Sequence, residues 1–309
     1  VFGSTDYTQE MNLLRDADIA VHSAKQKGGS CYVVFNQNMH QKVLQRLVLE
    51  NELRRALEQH EFTLRYQPIV GLESDRLVGF EALVRWQHPE KGSISPIEFI
   101  PIAEDTGLIV PLGQWILQAA CRQMVCWQTQ FPAASSLKIS VNLSVKQLRE
   151  TDLVAQVEEI LQTTGLPGQC LALEITESML MDDSRVVNQR LKQLSDLAVQ
   201  ISIDDFGTGF SSLSYLHRLA VDNLKIDRSF VSNMFESQRN LNITETIIKL
   251  SQQLGLVAIA EGIETPEQLQ QLKAFGCKLG QGYVFNAPIT SDEATALVHH
   301  YAHHITAFP

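Results

Sequence analysis

The stretch "SIDDFGTGFSSL", residues 202–213, ends an apolar run in two adjacent carboxylates, Asp204 and Asp205, followed by Gly207-Thr208-Gly209. Charged and amide side chains recur where other short apolar runs end: Glu81 and Arg85, Asn142, Glu174 and Glu177, Lys225 and Asp227, Glu261 and Glu264, and Gln281. Carboxylates gathered in one dry cavity repel one another, and each buried charge carries a desolvation cost. Either protons are retained or cations are bound. Oxygen donors with a single amide among them suit Mg²⁺ or Mn²⁺. A carboxylate such as Asp204 can bridge two ions about 3.5–4 Å apart, the arrangement used for phosphoryl displacement. On that reading the paired aspartates are metal seats, and the glycines let the following loop fold over them.

One end of one sheet must gather these residues. Eight β-branched or apolar runs bounded by turns read as strands: Thr63–Val70, Leu77–Trp86, Leu137–Ser144, Leu171–Ser178, Gln200–Gly207, Asn223–Phe230, Val257–Glu264 and Lys278–Phe285. Most gaps carry helical patterns, at Ile97–Glu104, Leu112–Trp127, Asp152–Thr163, Asp183–Leu197, Asn240–Leu254 and Pro266–Phe275, and a last helix is expected over Ser291–Tyr301. Thr265 with Pro266 makes a helix start. The first two strands are joined by Gly71-Leu72-Glu73-Ser74-Asp75, too short for a crossover helix. One antiparallel strand followed by β-α repeats predicts an α/β fold, a modified TIM (β/α)8 barrel with an antiparallel first strand, of about the usual 250 residues. An open doubly wound sheet is the alternative. In a parallel barrel the strands' carboxyl ends gather catalytic groups. Alternation puts Glu81, Leu83 and Arg85 on one face, and Lys225 and Asp227 on another. Asp204 and Asp205 oppose each other unless the strand has already ended, which Gly207 favours.

Ahead of the barrel, Asp16–Asn36 reads as helix, glycine turn and strand, the tail of a preceding domain over residues 1–36. Residues 37–60 form a polar-faced lead-in helix, and 61–309 the barrel. The start at Val1, without methionine, reads as that of an excised piece, in which upstream sensors or anchors would be out of view.

The 309 residues are 44% apolar and 19% charged, enough for a sizeable core. A net charge of −10 with scattered basic groups argues against a nucleic-acid polymer as partner. Five cysteines without a CxxC argue against a disulfide framework or zinc knuckle and fit a reducing cytoplasm. The most apolar stretch, Phe99 to Trp127, is cut by Glu104, Asp105 and Arg122, so no membrane contact is expected from it.

Blander readings compete at several positions. Gly207-x-Gly209-x-x-Ser212 is a degraded dinucleotide fingerprint, but two aspartates before it would repel a pyrophosphate. Lys225, between Leu224 and Ile226, reads alone as a snorkelling lysine. His299, His300, His303 and His304 pair at i, i+4, yet no carboxylate strengthens the set, so an exposed polar face is expected.

The ordered motifs "YQPIV", "EALVRW", "VNLS", "LEITES", "DDFGTGFSSLSYL", "LKIDRSFV", "AEGIET" and "QGYVFNAP" resemble the EAL-domain phosphodiesterases over about residues 42–305. That family cleaves cyclic di-GMP to linear pGpG on a TIM-like barrel. The resemblance implies Glu81, Asn142, Glu174 and Asp204 as metal ligands, with Asp205 serving a second Mg²⁺ or Mn²⁺. It implies Lys225 as the residue that orients the attacking water, and Glu261 as general base or metal support. Gln67, Leu83, Arg85, Asp227, Glu264 and Gln281 are implied as substrate contacts or their supports. Glu177 is implied as the anchor of the loop after the fifth strand, Phe206–Leu213, which the family links to homodimer contacts. The alternative is a degenerate EAL domain that binds cyclic di-GMP as a receptor; such receptors lack ligands that are present here. Residues 16–36 are similar to the end of a GGDEF domain, without the cyclase signature.

Overall fold

A computed structural model describes residues 10–26, 31–180, 185–208 and 219–303. Strands β1 (Phe62–Gly71), β2 (Arg76–His88), β4 (Lys138–Asn142), β5 (Leu171–Thr176), β6 (Gln200–Phe206), β7 (Asn223–Ile226), β8 (Val257–Ala260) and β9 (Leu279–Gly280) close into one barrel. A short strand, β3 (Gly92–Ile94), extends the end of β2 outside it. From β4 to β9 all neighbours are parallel, and β4 is parallel to β2. β1 is antiparallel to both β2 and β9, so the closed barrel and its reversed first strand stand as the sequence predicts, and the open sheet does not form.

Alternation along the parallel strands sorts their side chains. Ile139, Val141, Leu173, Ile175, Ile201, Ile203, Leu224 and Ile226 are buried in the apolar clusters shared with the surrounding helices. The intervening Ser140, Glu174, Ser202, Asn223 and Lys225 are also buried, although polar. A period of two in which both faces are buried, but only one is apolar, marks a barrel with a polar interior.

Several boundaries are tighter than the sequence predicts. β7 stops at Ile226 because the Asp227 side chain accepts the Ser229 N–H and starts a helix, Arg228–Ser232. β5 gives way at Glu177 to the helix Glu177–Leu180. β9 is two residues long, and an isolated bridge reinforces the closure: Tyr66 N–H donates to Ile289 O at 2.8 Å, and Ile289 N–H returns to Tyr66 O at 2.9 Å. Before the barrel, the helices Glu10–Gln26 and Gln37–Glu58 form, but the strand expected before Asn36 does not. Tyr32 and Val34 there are 90% and 72% exposed and pair with no strand among the described residues.

The β2–β4 seam depends on Gly79, which lies opposite Lys138. A Cβ on Gly79 would sit 2.3 Å from the Lys138 carbonyl oxygen, a backbone atom that cannot move without parting the strands. Gly79→Ala is expected to destabilise the barrel by about 3 kcal/mol in urea unfolding; a loss below about 0.5 kcal/mol would show that the seam can yield.

Candidate active site

The side chains of five strands meet on the barrel axis around Lys225. Its ammonium lies 2.6 Å from Glu174 Oε2, 2.6 Å from Glu261 Oε1, 3.3 Å from Glu81 Oε2 and 3.3 Å from Asp204 Oδ1. Lys225 is 1% exposed, so its chain spans the interior and does not snorkel to water. Glu81 takes two more constraints from amides. Asn142 Nδ2 donates to its Oε1 at 2.8 Å, and Gln281 Nε2 donates to its Oε2 at 2.7 Å. Gln281 Nε2 also reaches Glu261 Oε1 at 3.1 Å, tying the two acids together.

Asp204 and Asp205 solve the opposition problem by backbone distortion. The pairing of β6 with β7 slips between Ile203 and Phe206, and Asp205 adopts φ 54°. Aspartate tolerates this left-handed region better than most residues. The twist brings Asp204, Asp205 and Glu261 to one place, where they offer carboxylate oxygens all within 4.8 Å of one another. The Asp205 N–H donates to Asp204 Oδ1 at 3.0 Å. Gly207, at φ 97°, follows, and its N–H donates to Glu177 Oε2 at 2.8 Å. Gly209 to Leu213, the remainder of the loop singled out in the sequence, lie outside the described residues.

Charge sets the character of the site. Five carboxylates, Glu81, Glu174, Asp204, Asp205 and Glu261, face one ammonium. Burial pushes Glu174 well up, and Glu81 and Asp204 add to it. Burial likewise raises Glu261 to about 8, despite the opposing pull of Lys225. Asp205 rises through burial and then through Asp204 and Asp227. Glu81 goes the other way: burial would raise it, but Lys225, Gln281 and Asn142 outweigh that and hold it below the usual range. Lys225 loses by burial and gains more from Glu174 and Glu261, so its proton is held well above the ordinary lysine range. Without further cations the cluster therefore favours protons on Glu174 and Glu261.

The donor set fits a hard divalent cation. Glu174 Oε1 is buried and accepts no hydrogen bond among the described residues. Asn142 spends its N–H on Glu81, which leaves its carbonyl oxygen as a donor. Carboxylate and amide oxygens with no sulfur or imidazole are the chemistry of Mg²⁺ and Mn²⁺ sites.

The remaining residues singled out from the sequence form the rim and wall. Gln67, Glu261, Glu264 and Gln281 line a cavity of ≈ 160 Å³ beside the cluster. Glu264 is held by Arg228 Nη2 at 2.6 Å. Leu83 and Arg85 share the face of β2 that carries Glu81, and both are half-buried. Asp227 caps its helix and does not enter the cluster; its charge reaches Asp205. His299 packs edge-on against Phe131, with centroids 5.7 Å apart, and His300 against Tyr301. His304 is outside the described residues. Arg228 and Tyr283 also line the cavity, and the sequence reading missed both. They sit one or two positions beyond residues that it did single out, so extending the strand-end rule into the loops would have found them.

The EAL domain family profile matches residues 50–288. The chain belongs to the EAL domain family. It is 41% identical over 286 residues to the bifunctional diguanylate cyclase/cyclic di-GMP phosphodiesterase MucR of Pseudomonas aeruginosa, covering 93% of this chain and 42% of that protein. It is 40% identical over 284 residues to the cyclic di-GMP phosphodiesterase NbdA of the same species, covering 92% of this chain and 36% of NbdA. The chain thus spans well under half the length of these curated relatives. Its fold matches the solved PaMucR phosphodiesterase in complex with c-di-GMP, with TM-score 0.76, 42% identity, and 80% of this chain and 99% of that chain covered.

If Lys225 balances the buried acids of this EAL domain, Lys225→Met leaves them without their only ammonium. In metal-free protein the variant is expected to lose about 3–5 kcal/mol in urea unfolding. Unchanged stability would remove Lys225 from the charge balance.

Proposed function

We propose that this EAL domain is a metal-dependent phosphodiesterase that hydrolyses cyclic di-GMP to linear pGpG. The observation that carries the reading is the intact ring of acids from β2, β5, β6 and the loop after β8 around Lys225. The names of MucR and NbdA, and the c-di-GMP bound in the PaMucR structure, support the substrate.

Glu81, Asn142, Glu174 and Asp204 would hold one Mg²⁺ or Mn²⁺, and Asp205 a second. When bound, such ions supply the positive charge that draws a phosphodiester to an acidic pocket and lower the pKa of water. Lys225, held by Glu174 and Glu261, would turn an N–H to the attacking water once cations take up those acids. Burial keeps a proton on Glu261 near neutral pH in the metal-free site; with cations bound it would be ionised and serve as the base that takes the water's proton. Attack at phosphorus breaks the bond to one ribose oxygen, which takes up a proton from Glu261 or solvent as it leaves. Gln281 keeps Glu81 and Glu261 in register. Arg85, Gln67, Leu83, Glu264 and Asp227 form or support the substrate side, and Glu177 anchors the loop after β6 through Gly207.

The same reading makes residues 1–36 the end of a GGDEF-like domain and 37–60 a lead-in helix, in keeping with the longer, bifunctional MucR. It places the protein in the cytoplasm, supported by five unpaired cysteines, three of them buried. Among the described residues no helix is long and apolar enough to cross a membrane. A homodimer belongs to the proposal, supported by the exposed Phe235 and the groove lined by Ile243 and Ile247.

Chromatography of the products decides the activity. Purified protein with Mg²⁺ or Mn²⁺ is expected to convert cyclic di-GMP to pGpG and to stop when chelator is added; intact substrate that stays bound would establish the receptor alternative. Glu81→Ala and Asp204→Ala are each expected to lower kcat by about 10²–10³-fold or more while the fold persists. Retained turnover in either variant would remove that residue from the metal site.

A further inference from the structure

Cyclic di-GMP carries two phosphodiesters, and only one can lie at the carboxylate cluster. Resting on the reading above, we infer that Arg65, with Arg85, seats the second phosphate, the one remote from the bond that breaks.

The β1–β2 register places Gln67 opposite Glu81, Arg65 opposite Leu83, and Thr63 opposite Arg85. Directly opposed residues share a face of the sheet. One face of this hairpin therefore climbs from Glu81 in the cluster, past Gln67 on the cavity wall, to two guanidinium groups. Because β1 runs backwards, Arg65 lies on the mouth side of Gln67, about 7 Å further along the strand. Arg65 and Arg85 are diagonal neighbours, with Cα atoms about 7–8 Å apart.

Two like charges held side by side are unfavourable unless an anion joins them. Burial lowers the proton affinity of Arg85, and Arg65 lowers it further; Glu81 offsets this only in part. Arg85 Nη1 donates to Val84 O at 2.8 Å. Arg65 donates no hydrogen bond among the described residues, and the one carboxylate within 4.0 Å is Glu293, at 3.9 Å. Glu293 is already engaged, since its Oε2 accepts from Thr290 N–H at 2.7 Å and from Thr290 Oγ1 at 2.8 Å. The Arg65 side chain is 37% exposed, so its donors are open to an incoming ligand. A planar guanidinium with free N–H groups matches a phosphate bidentately.

Calorimetric titration with cyclic di-GMP, paired with steady-state hydrolysis, tests this. Arg65→Ala is expected to weaken binding about tenfold and to raise KM similarly, with a smaller change in kcat and a flatter dependence on salt. Arg65→Lys should recover part of the affinity by restoring charge without the fork. Unchanged affinity in Arg65→Ala, in a protein that melts like wild type, overturns the inference and leaves the phosphodiesterase reading standing. Wild type that binds but does not hydrolyse, with Arg65→Ala binding about tenfold more weakly, upholds Arg65 and overturns the hydrolytic reading. Wild type that takes up no ligand overturns both.

Discussion

Five acids share one buried ammonium at the centre of this barrel, and that imbalance shapes everything around it. Lys225 lies within 3.3 Å of four carboxylates, yet it can neutralise only one charge. In a low-dielectric interior the remainder must keep protons or recruit cations. Glu174 and Glu261 take the first course when nothing else is bound, which is why both sit above the ordinary carboxylate range. Exchange of those protons for a divalent cation would relieve the imbalance, and a cation would make an acidic pocket hospitable to a phosphodiester.

The fold holds this imbalance by spreading its members over separate strands. Glu81, Glu174, the Asp204–Asp205 pair and Glu261 arrive on four different segments, fixed by inter-strand hydrogen bonds and by apolar neighbours that face the helices. No side chain can relieve repulsion by moving far. Amides do the fine positioning: Asn142 and Gln281 clamp Glu81 from either side, and Gln281 reaches on to Glu261. The left-handed Asp205 is the main local strain, placed where it lets two consecutive side chains converge. Glu177 meets the chain just beyond it through Gly207, so this distortion is supported from the helix after β5 as well.

Much of this was legible in the sequence because it was written locally. Strand periodicity and turn residues located all eight barrel strands, and the short Gly71–Asp75 link showed that the first must reverse. Polar residues at strand ends led to the cluster. What escaped depends on partners distant in sequence. The segment before Asn36 has strand-forming residues, but strand-forming residues need a partner strand, and this segment meets none among the described residues. Asn223–Phe230 looked continuous, yet the Asp227 side chain captures the Ser229 N–H and ends β7. The convergence of Asp204 with Asp205 required a slipped register with β7, which no local pattern reports. Arg65 was passed over for the same reason: its place beside Arg85 exists only through the pairing of β1 with β2.

The central claim is that protons in the acid cluster stand in for divalent cations. Calorimetric titration of metal-free protein with Mn²⁺ at neutral pH, repeated in buffers of different ionisation enthalpy, counts the protons displaced. Saturable uptake with net release of protons to the buffer is predicted. Absence of saturable uptake, or uptake that releases no protons, would contradict the account.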